Sequence, residues 1–185
     1  LLAHSDTLYF LDHYLDQFDY VSWYRSSSIT VASSTSFAMH TGHDEQVDIF
    51  HDPLGDITVS PTFIRKFSNH HWPLGRAIVP STDRIAADEM RIYCGRAPSI
   101  AVLDRAQMTM LAPITVPFSG TSTRTLLMLT DDVINYASMN SNLTMSMGAV
   151  DTTGAVIWSN TVNLLQTTAL TGIVRDALGN TWVSA

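Results

Sequence analysis

Imidazoles and carboxylates crowd into one stretch of this chain, His40-Thr41-Gly42-His43-Asp44-Glu45, followed closely by His51-Asp52. Ring nitrogens and carboxylate oxygens this near one another are the donor set for a borderline divalent cation such as zinc. His40, His43, Asp44 and His51 are therefore the candidate ligands. A helix would carry His40 and His43 on one face, but Gly42 between them favours a loop. The spacing is not HExxH and matches no other established zinc pattern. The stretch is read as a solvated or interface loop, and no metal or other cofactor is expected.

The second histidine group is His70-His71-Trp72-Pro73. Adjacent residues of an extended chain point to opposite sides, so two neighbouring histidines rarely ligate one ion. Trp72 beside Pro73 reads as a loop anchor, with a sugar-stacking platform as the alternative. Nucleophilic chemistry has little support. There is no Gly-x-Ser-x-Gly elbow, and Ser119-Gly120 lacks the second glycine. Cys94 is the only cysteine and falls in an expected strand without a nearby His, which suits a buried structural thiol. Neither GxGxxG nor GxxxxGK[ST] occurs, so nucleotide chemistry is not expected. Asn142-Leu143-Thr144 spells the N-glycosylation sequon. Its Leu143 and Thr144 fall in an expected strand and the chain shows no secretion signal, so the match is read as coincidence.

The elements that would position these residues are mostly strands. Residues 1–18 are the exception: Leu8, Leu11, Leu15 and Phe18 recur at helical spacing, with Asp12, His13 and Asp16 opposite and Ser5 or Asp6 available as cap. From Val21 to Val31 the period becomes two, which predicts one long strand. Asp52-Pro53-Leu54-Gly55 has turn chemistry. Ser81-Thr82-Asp83 could cap a short helix through Ala87. Met90–Cys94, Ser99–Leu103 and Thr125–Leu129 read as strands, and Asp131–Ser141 as a helical turn followed by a loop. Leu143, Met145 and Met147 alternate with Thr144 and Ser146. Asp151-Thr152-Thr153-Gly154 reads as a hairpin turn, and Ile173 to Val183 as a last hairpin. Eight to ten short strands separated by turn signals predict a mainly β, antiparallel sandwich of jelly-roll type with one N-terminal helix, in a single domain over residues 1–185.

Composition narrows the function further. The apolar fraction of 45% in 185 residues supports a packed core. Only 15% of residues are charged, while Ser and Thr make up about a fifth. Lys66 is the only lysine, and interfaces are depleted in lysine, so much of the surface is expected to face neighbouring subunits. A net charge of −7 without any basic run argues against nucleic-acid binding by this segment. No apolar run is long enough to span a membrane, and the first residue is not Met, so the chain reads as a processed or excised piece.

Two short patches carry a family resemblance. Phe18 to Val31, with Trp23-Tyr24-Arg25 at its centre, resembles the helix-into-strand passage of picornavirus-like jelly-roll capsid proteins, with Ser26 where that family usually has Gly. Ile114-Thr115-Val116-Pro117-Phe118-Ser119 resembles a strand end of the same family. The resemblance implies a wedge-shaped jelly roll packing with copies of itself, or with homologous subunits, in the icosahedral shell of a non-enveloped virus. On that expectation the chain is a structural assembly protein and not an enzyme, a capsid domain or surface protrusion found in the virion and assembled in the host cytoplasm. The first alternative is a glycan- or receptor-binding head, with Trp72, Trp158 and Trp182 as stacking residues. The second is a metal-dependent or Ser/His hydrolase built on His40, His43, Asp44 and His51.

Overall fold

A computed structural model describes residues 2–4, 7–13, 19–26, 31–39, 48–59, 63–68, 73–79, 82, 84–96, 98–118, 122–165 and 170–184. The chain divides into two compact units, Leu1–Val79 and Pro80–Ala185. The mainly β, antiparallel expectation holds, and no helix occurs among the described residues.

The first unit contains two four-stranded sheets. One is formed by β1 (Leu2–His4), β2 (Thr7–His13), β3 (Asp19–Ser26) and β4 (Val31–Met39), side by side in chain order. Where the helix was expected over residues 1–18, the described residues form β1 and β2, with Leu2 opposite Tyr9; Leu15 and Phe18 lie outside the described residues. Two causes act together. Thr7, Tyr9 and Phe10 are residues whose side chains lose rotamer freedom in a helix. β2 is also hydrogen-bonded on both sides, to β1 and β3, so tertiary pairing overrides a helical spacing of leucines. The single strand expected over Val21–Val31 is divided between β3 and β4. The second sheet, again in chain order, joins β5 (Asp48–Asp52), β6 (Gly55–Val59), β7 (Phe63–Phe67) and β8 (Pro73–Ile78). Its first turn is the expected one, with Gly55 at φ 122° closing against Asp52.

The second unit repeats the plan. β9 (Ile85–Ala87), β10 (Arg91–Arg96), β11 (Ser99–Asp104) and β12 (Thr109–Met110) lie in order, and β13 (Ile114–Thr115) also pairs with β11. The short helix expected up to Ala87 is the buried strand β9. β14 (Ser122–Thr130), β15 (Val133–Asn140), β16 (Thr144–Asp151) and β17 (Val156–Asn163) form the next sheet, and β18 (Gly172–Arg175) pairs with β19 (Thr181–Ser184) as the expected last hairpin. The helical turn and loop expected over Asp131–Ser141 are in fact a two-residue hairpin turn and β15. Asp131 and Asp132 both have positive φ, 49° and 62°, as the two central residues of a type I′ turn require.

Burial explains why β15 escaped a periodic reading. Every residue from Ile134 to Asn140 is buried, because the β14–β17 sheet is covered on both faces. On one face Ile134, Tyr136 and Val150 pack with Tyr93, Ile100 and Val102 of the β9–β13 sheet. On the other, Leu126, Ala137, Met139 and Met145 pack with Leu170, Ile173 and Val183. A strand buried on both faces has no polar face to alternate with. Some of the polar residues buried in this sheet are partnered across the strands, Thr125 with Ser138 at 2.9 Å and Ser146 with Thr161 at 3.4 Å, while Asn135 Nδ2 and Asn140 Oδ1 are buried without a partner among the described residues.

No jelly roll results. In a jelly roll the chain crosses between two sheets by Greek-key connections. Here, within every sheet of more than two strands, successive strands pair with the next in the chain, and only β13 departs from that order.

Candidate functional site

The second unit holds a cavity of about 550 Å³ at one end of its sheets, lined by residues of the β9–β10, β14–β15 and β16–β17 turns. In a meander the first and third turns of a sheet fall at the same end, so two neighbouring sheets place four turns around one opening. That end gathers carboxylates. Asp88, Glu89, Asp104 and Asp132 line the cavity, against one lining guanidinium, Arg91.

Each element fixes its residue by a local rule. The Asp88 carboxylate caps the β9–β10 turn: Oδ1 accepts from the backbone N–H of Met90 at 2.7 Å and of Arg91 at 2.6 Å, and Oδ2 accepts from the Tyr93 hydroxyl at 2.8 Å. Its carbonyl accepts from Nη1 of buried Arg105 at 2.7 Å. The Asp104 carboxylate caps its own turn through the N–H of Gln107 at 2.8 Å. These two carboxylates are therefore committed to holding the rim. Arg91 donates from Nη1 to the Thr152 carbonyl at 2.9 Å and so ties the two sheets together across the opening. Thr152 N–H in turn donates to the Asp132 carbonyl at 3.1 Å. Glu89 and Asp132 are left exposed on this rigid rim, beside the largely exposed side chain of Met90 and the half-exposed Leu111.

Burial, with the Asp88 carboxylate beside it, pushes the Tyr93 phenol up to about 12, so it stays a neutral donor. Burial pushes the Cys94 thiol up to about 12 as well, far from the thiolate that a nucleophile needs. Two more turns are organised by carboxylates, the β16–β17 turn at the cavity by Asp151 and the β18–β19 turn by Asp176. Asp151 accepts from the hydroxyl of Thr153 and from N–H groups of Thr153 and Ala155, which lowers its pKa. Asp176 accepts from Trp182 Nε1 at 3.0 Å and from Asn180 and Leu178, which lowers its pKa to about 2.

The residues singled out in the sequence fall elsewhere. His40, His43, Asp44 and Trp72 lie outside the described residues. The backbone of His51 sits in β5 opposite Asp56. Among the described residues no three His, Cys, Asp or Glu side chains gather as a metal site. Trp158 lies on the edge strand β17, and Trp182 on β19, its indole N–H engaged by Asp176. Sequence reading missed the cavity residues because they are scattered over turns far apart in the chain. The one available signal was the recurrence of Asp at strand ends: Asp88, Asp104, Asp131, Asp132 and Asp151.

No protein-family model matches this chain, and no curated protein matches it in sequence. Solved structures do match. The hydrazine synthase of Kuenenia stuttgartiensis is similar with a TM-score of 0.64 at 10% identity, over 88% of this chain and 50% of that one. The Pan2 WD40 domain of Neurospora crassa is similar with a TM-score of 0.55 at 11% identity, over 78% of this chain and 46% of that one. BBS1N, solved in complex with ARL6DN, is similar with a TM-score of 0.58 at 13% identity, over 96% of this chain and 60% of that one. The sheets are built as β-propeller blades. Each is a meander of strands in chain order, as propeller blades are. The chain spans about half the length of the structures it matches.

This fold overturns the capsid reading. The Trp23-Tyr24-Arg25 patch lies within β3, an inner strand of a meander, and the described residues of the second patch, Ile114–Phe118, supply the two-residue strand β13. Neither patch opens or ends a jelly-roll strand, and the similar structures include a WD40 domain. The virion and icosahedral-assembly expectations drawn from the resemblance go with it.

Proposed function

We propose that this chain is a non-catalytic binding scaffold that docks a cationic, Lys- or Arg-bearing segment of a partner protein in the acidic cleft of its second unit. The observation that carries this reading is the cleft itself: about 550 Å³ of space walled by turns that hydrogen-bond one another, with Glu89 and Asp132 exposed on the rim. Loops held by a rigid scaffold are where binding sites concentrate. The net charge of −7 favours encounter with a positive partner. Met90 and Leu111 offer apolar surface to the aliphatic stem of a long basic side chain. BBS1N, one of the similar structures, was solved with a protein bound, which supports protein docking as a use of this kind of fold.

The test is fluorescence anisotropy with a labelled Arg/Lys-rich peptide, for the parent chain and for Glu89→Lys with Asp132→Lys. Two exposed ion pairs at about 0.7 kcal/mol each amount to roughly a tenfold loss of affinity. Binding should also weaken as salt rises. Unchanged affinity in the double variant, with its fold intact by circular dichroism, rejects this cleft as the docking site.

A further inference from the structure

We propose that Asn142 is an acceptor for N-linked glycosylation. Asn142-Leu143-Thr144 is the only Asn-x-Ser/Thr triplet in the chain in which x is not Pro. The structure takes Leu143 out of the strand where its sequence pattern placed it and leaves Thr144 as the first residue of β16. β15 ends at Asn140 and β16 begins at Thr144, so Asn142 and Leu143 form the turn between them, and residues 141–143 are all exposed. Leu143 adopts φ 60°, a backbone reversal that folds the third residue of the triplet back over the first.

That reversal builds a specific contact. Thr144 Oγ1 donates to Asn142 Oδ1 at 2.7 Å. The direction of this bond is set by a second one. Asn140 Nδ2, on a buried residue, donates to Thr144 Oγ1 at 2.6 Å, so the Thr144 hydroxyl proton is left to point onward to Asn142. The carbonyl half of the Asn142 amide is thereby held against the turn. Its Nδ2 has no hydrogen-bond partner among the described residues. The triplet is thus presented on an exposed turn with its acceptor nitrogen open to solvent, the surface-loop setting of an N-linked acceptor.

The co-substrate is a polyprenyl-diphosphate-linked oligosaccharide. Asn142 Nδ2 attacks the anomeric carbon, and the bond from that carbon to the diphosphate oxygen breaks as the carbon–nitrogen bond forms. The amide loses one proton, and polyprenyl diphosphate leaves with the bonding electron pair. The modified turn lies at the opposite end of the β14–β17 sheet from the acidic cleft. β15 separates them by its eight residues, about 25 Å of strand. A glycan at Asn142 thus leaves the cleft open, and this inference does not depend on what the cleft binds.

The experiment has two arms read by mass spectrometry. In the first, the chain isolated from its own cells is digested and the peptide containing Asn142 is sequenced. A glycan mass on Asn142 is expected, and an Asn142 that is wholly unmodified there overturns the proposal. In the second, the purified folded chain is incubated with an oligosaccharyltransferase and the polyprenyl-diphosphate donor. One glycan increment is expected, absent in Asn142→Gln and retained at a lower level in Thr144→Ser, which keeps a hydroxyl for Asn140. Modification of the urea-unfolded chain but not of the folded one would mean that the turn hides its acceptor, and would equally overturn it.

Discussion

Gly148 lies opposite Tyr136 in the β15–β16 ladder, and a methyl group there would have nowhere to go. A Cβ built on Gly148 falls 2.6 Å from the Tyr136 hydroxyl oxygen, 2.8 Å from its Cζ and 2.6 Å from the Trp158 carbonyl oxygen. Ordinary contact begins near 3.4 Å. Relief must come from Tyr136 or from β17. Tyr136 is fully buried and donates to the Pro117 carbonyl at 3.1 Å. The Trp158 carbonyl belongs to a strand paired with β16. Overpacking a filled core costs about 1–3 kcal/mol, and giving up the Pro117 hydrogen bond adds about 1 kcal/mol. Gly148→Ala should therefore lose about 2–4 kcal/mol, seen as a fall in the urea midpoint with little change in slope. Tyr136→Phe removes one of the close contacts, so Gly148→Ala should cost measurably less in that background than in the parent chain. A loss below about 0.5 kcal/mol, the range of neutral surface changes, would show that this pair of strands is not packed as described.

Asp176, held near pKa 2 by Trp182 and Asn180, has a folded pKa below its unfolded value of about 3.9. Its stabilisation is then fully present above about pH 4 and is lost as the pH falls through 2; Asp176→Asn should be less stable than the parent at pH 7, with the difference shrinking below pH 4 and vanishing below pH 2 in acid-unfolding curves. Cys94, fully buried and with its thiol pushed up to about 12, should resist a thiol reagent at pH 8 in the native chain and react stoichiometrically once unfolded; rapid native labelling would contradict the packing of β10. Asp132→Gly should relieve a non-glycine residue at φ 62° and raise stability by roughly 0.5–1 kcal/mol, while weakening the cationic peptide in the anisotropy assay, so that the two measurements move in opposite directions.

Local chemistry was legible wherever one or two residues decide it. Asp52-Pro53-Leu54-Gly55 and Asp151-Thr152-Thr153-Gly154 are turns in the structure because proline, glycine and a capping carboxylate act within a few residues. The Met145/Met147 alternation is strand β16. Elements decided by distant partners were not legible. β1 and β2 look helical from their leucines until β3 pairs with β2, and β15 loses its alternation because sheets cover both its faces. The jelly-roll reading failed for the same reason: strand count and turn spacing are shared by sandwiches and meanders, and only the pairing order separates them. The cleft was illegible because its rim is assembled from turns tens of residues apart, Asp88 and Thr152 among them, whose meeting depends on sheet-to-sheet packing.

The order in which the strands pair also governs how fast the chain can fold. Because each strand of the β14–β17 sheet bonds to the next in the chain, the loops to be closed are only a few residues long, and closure of short loops loses little chain entropy. Folding rate rises as contacts become more local. Each sheet can therefore close as soon as its own contiguous segment is available, without waiting for residues far downstream. During synthesis, the β14–β17 sheet could form once Asn163 has emerged, before β18 and β19 arrive to cover its second face. The interval between those two events is when Leu126, Met139 and Met145 stand uncovered, and apolar surface exposed in that way is prone to aggregation.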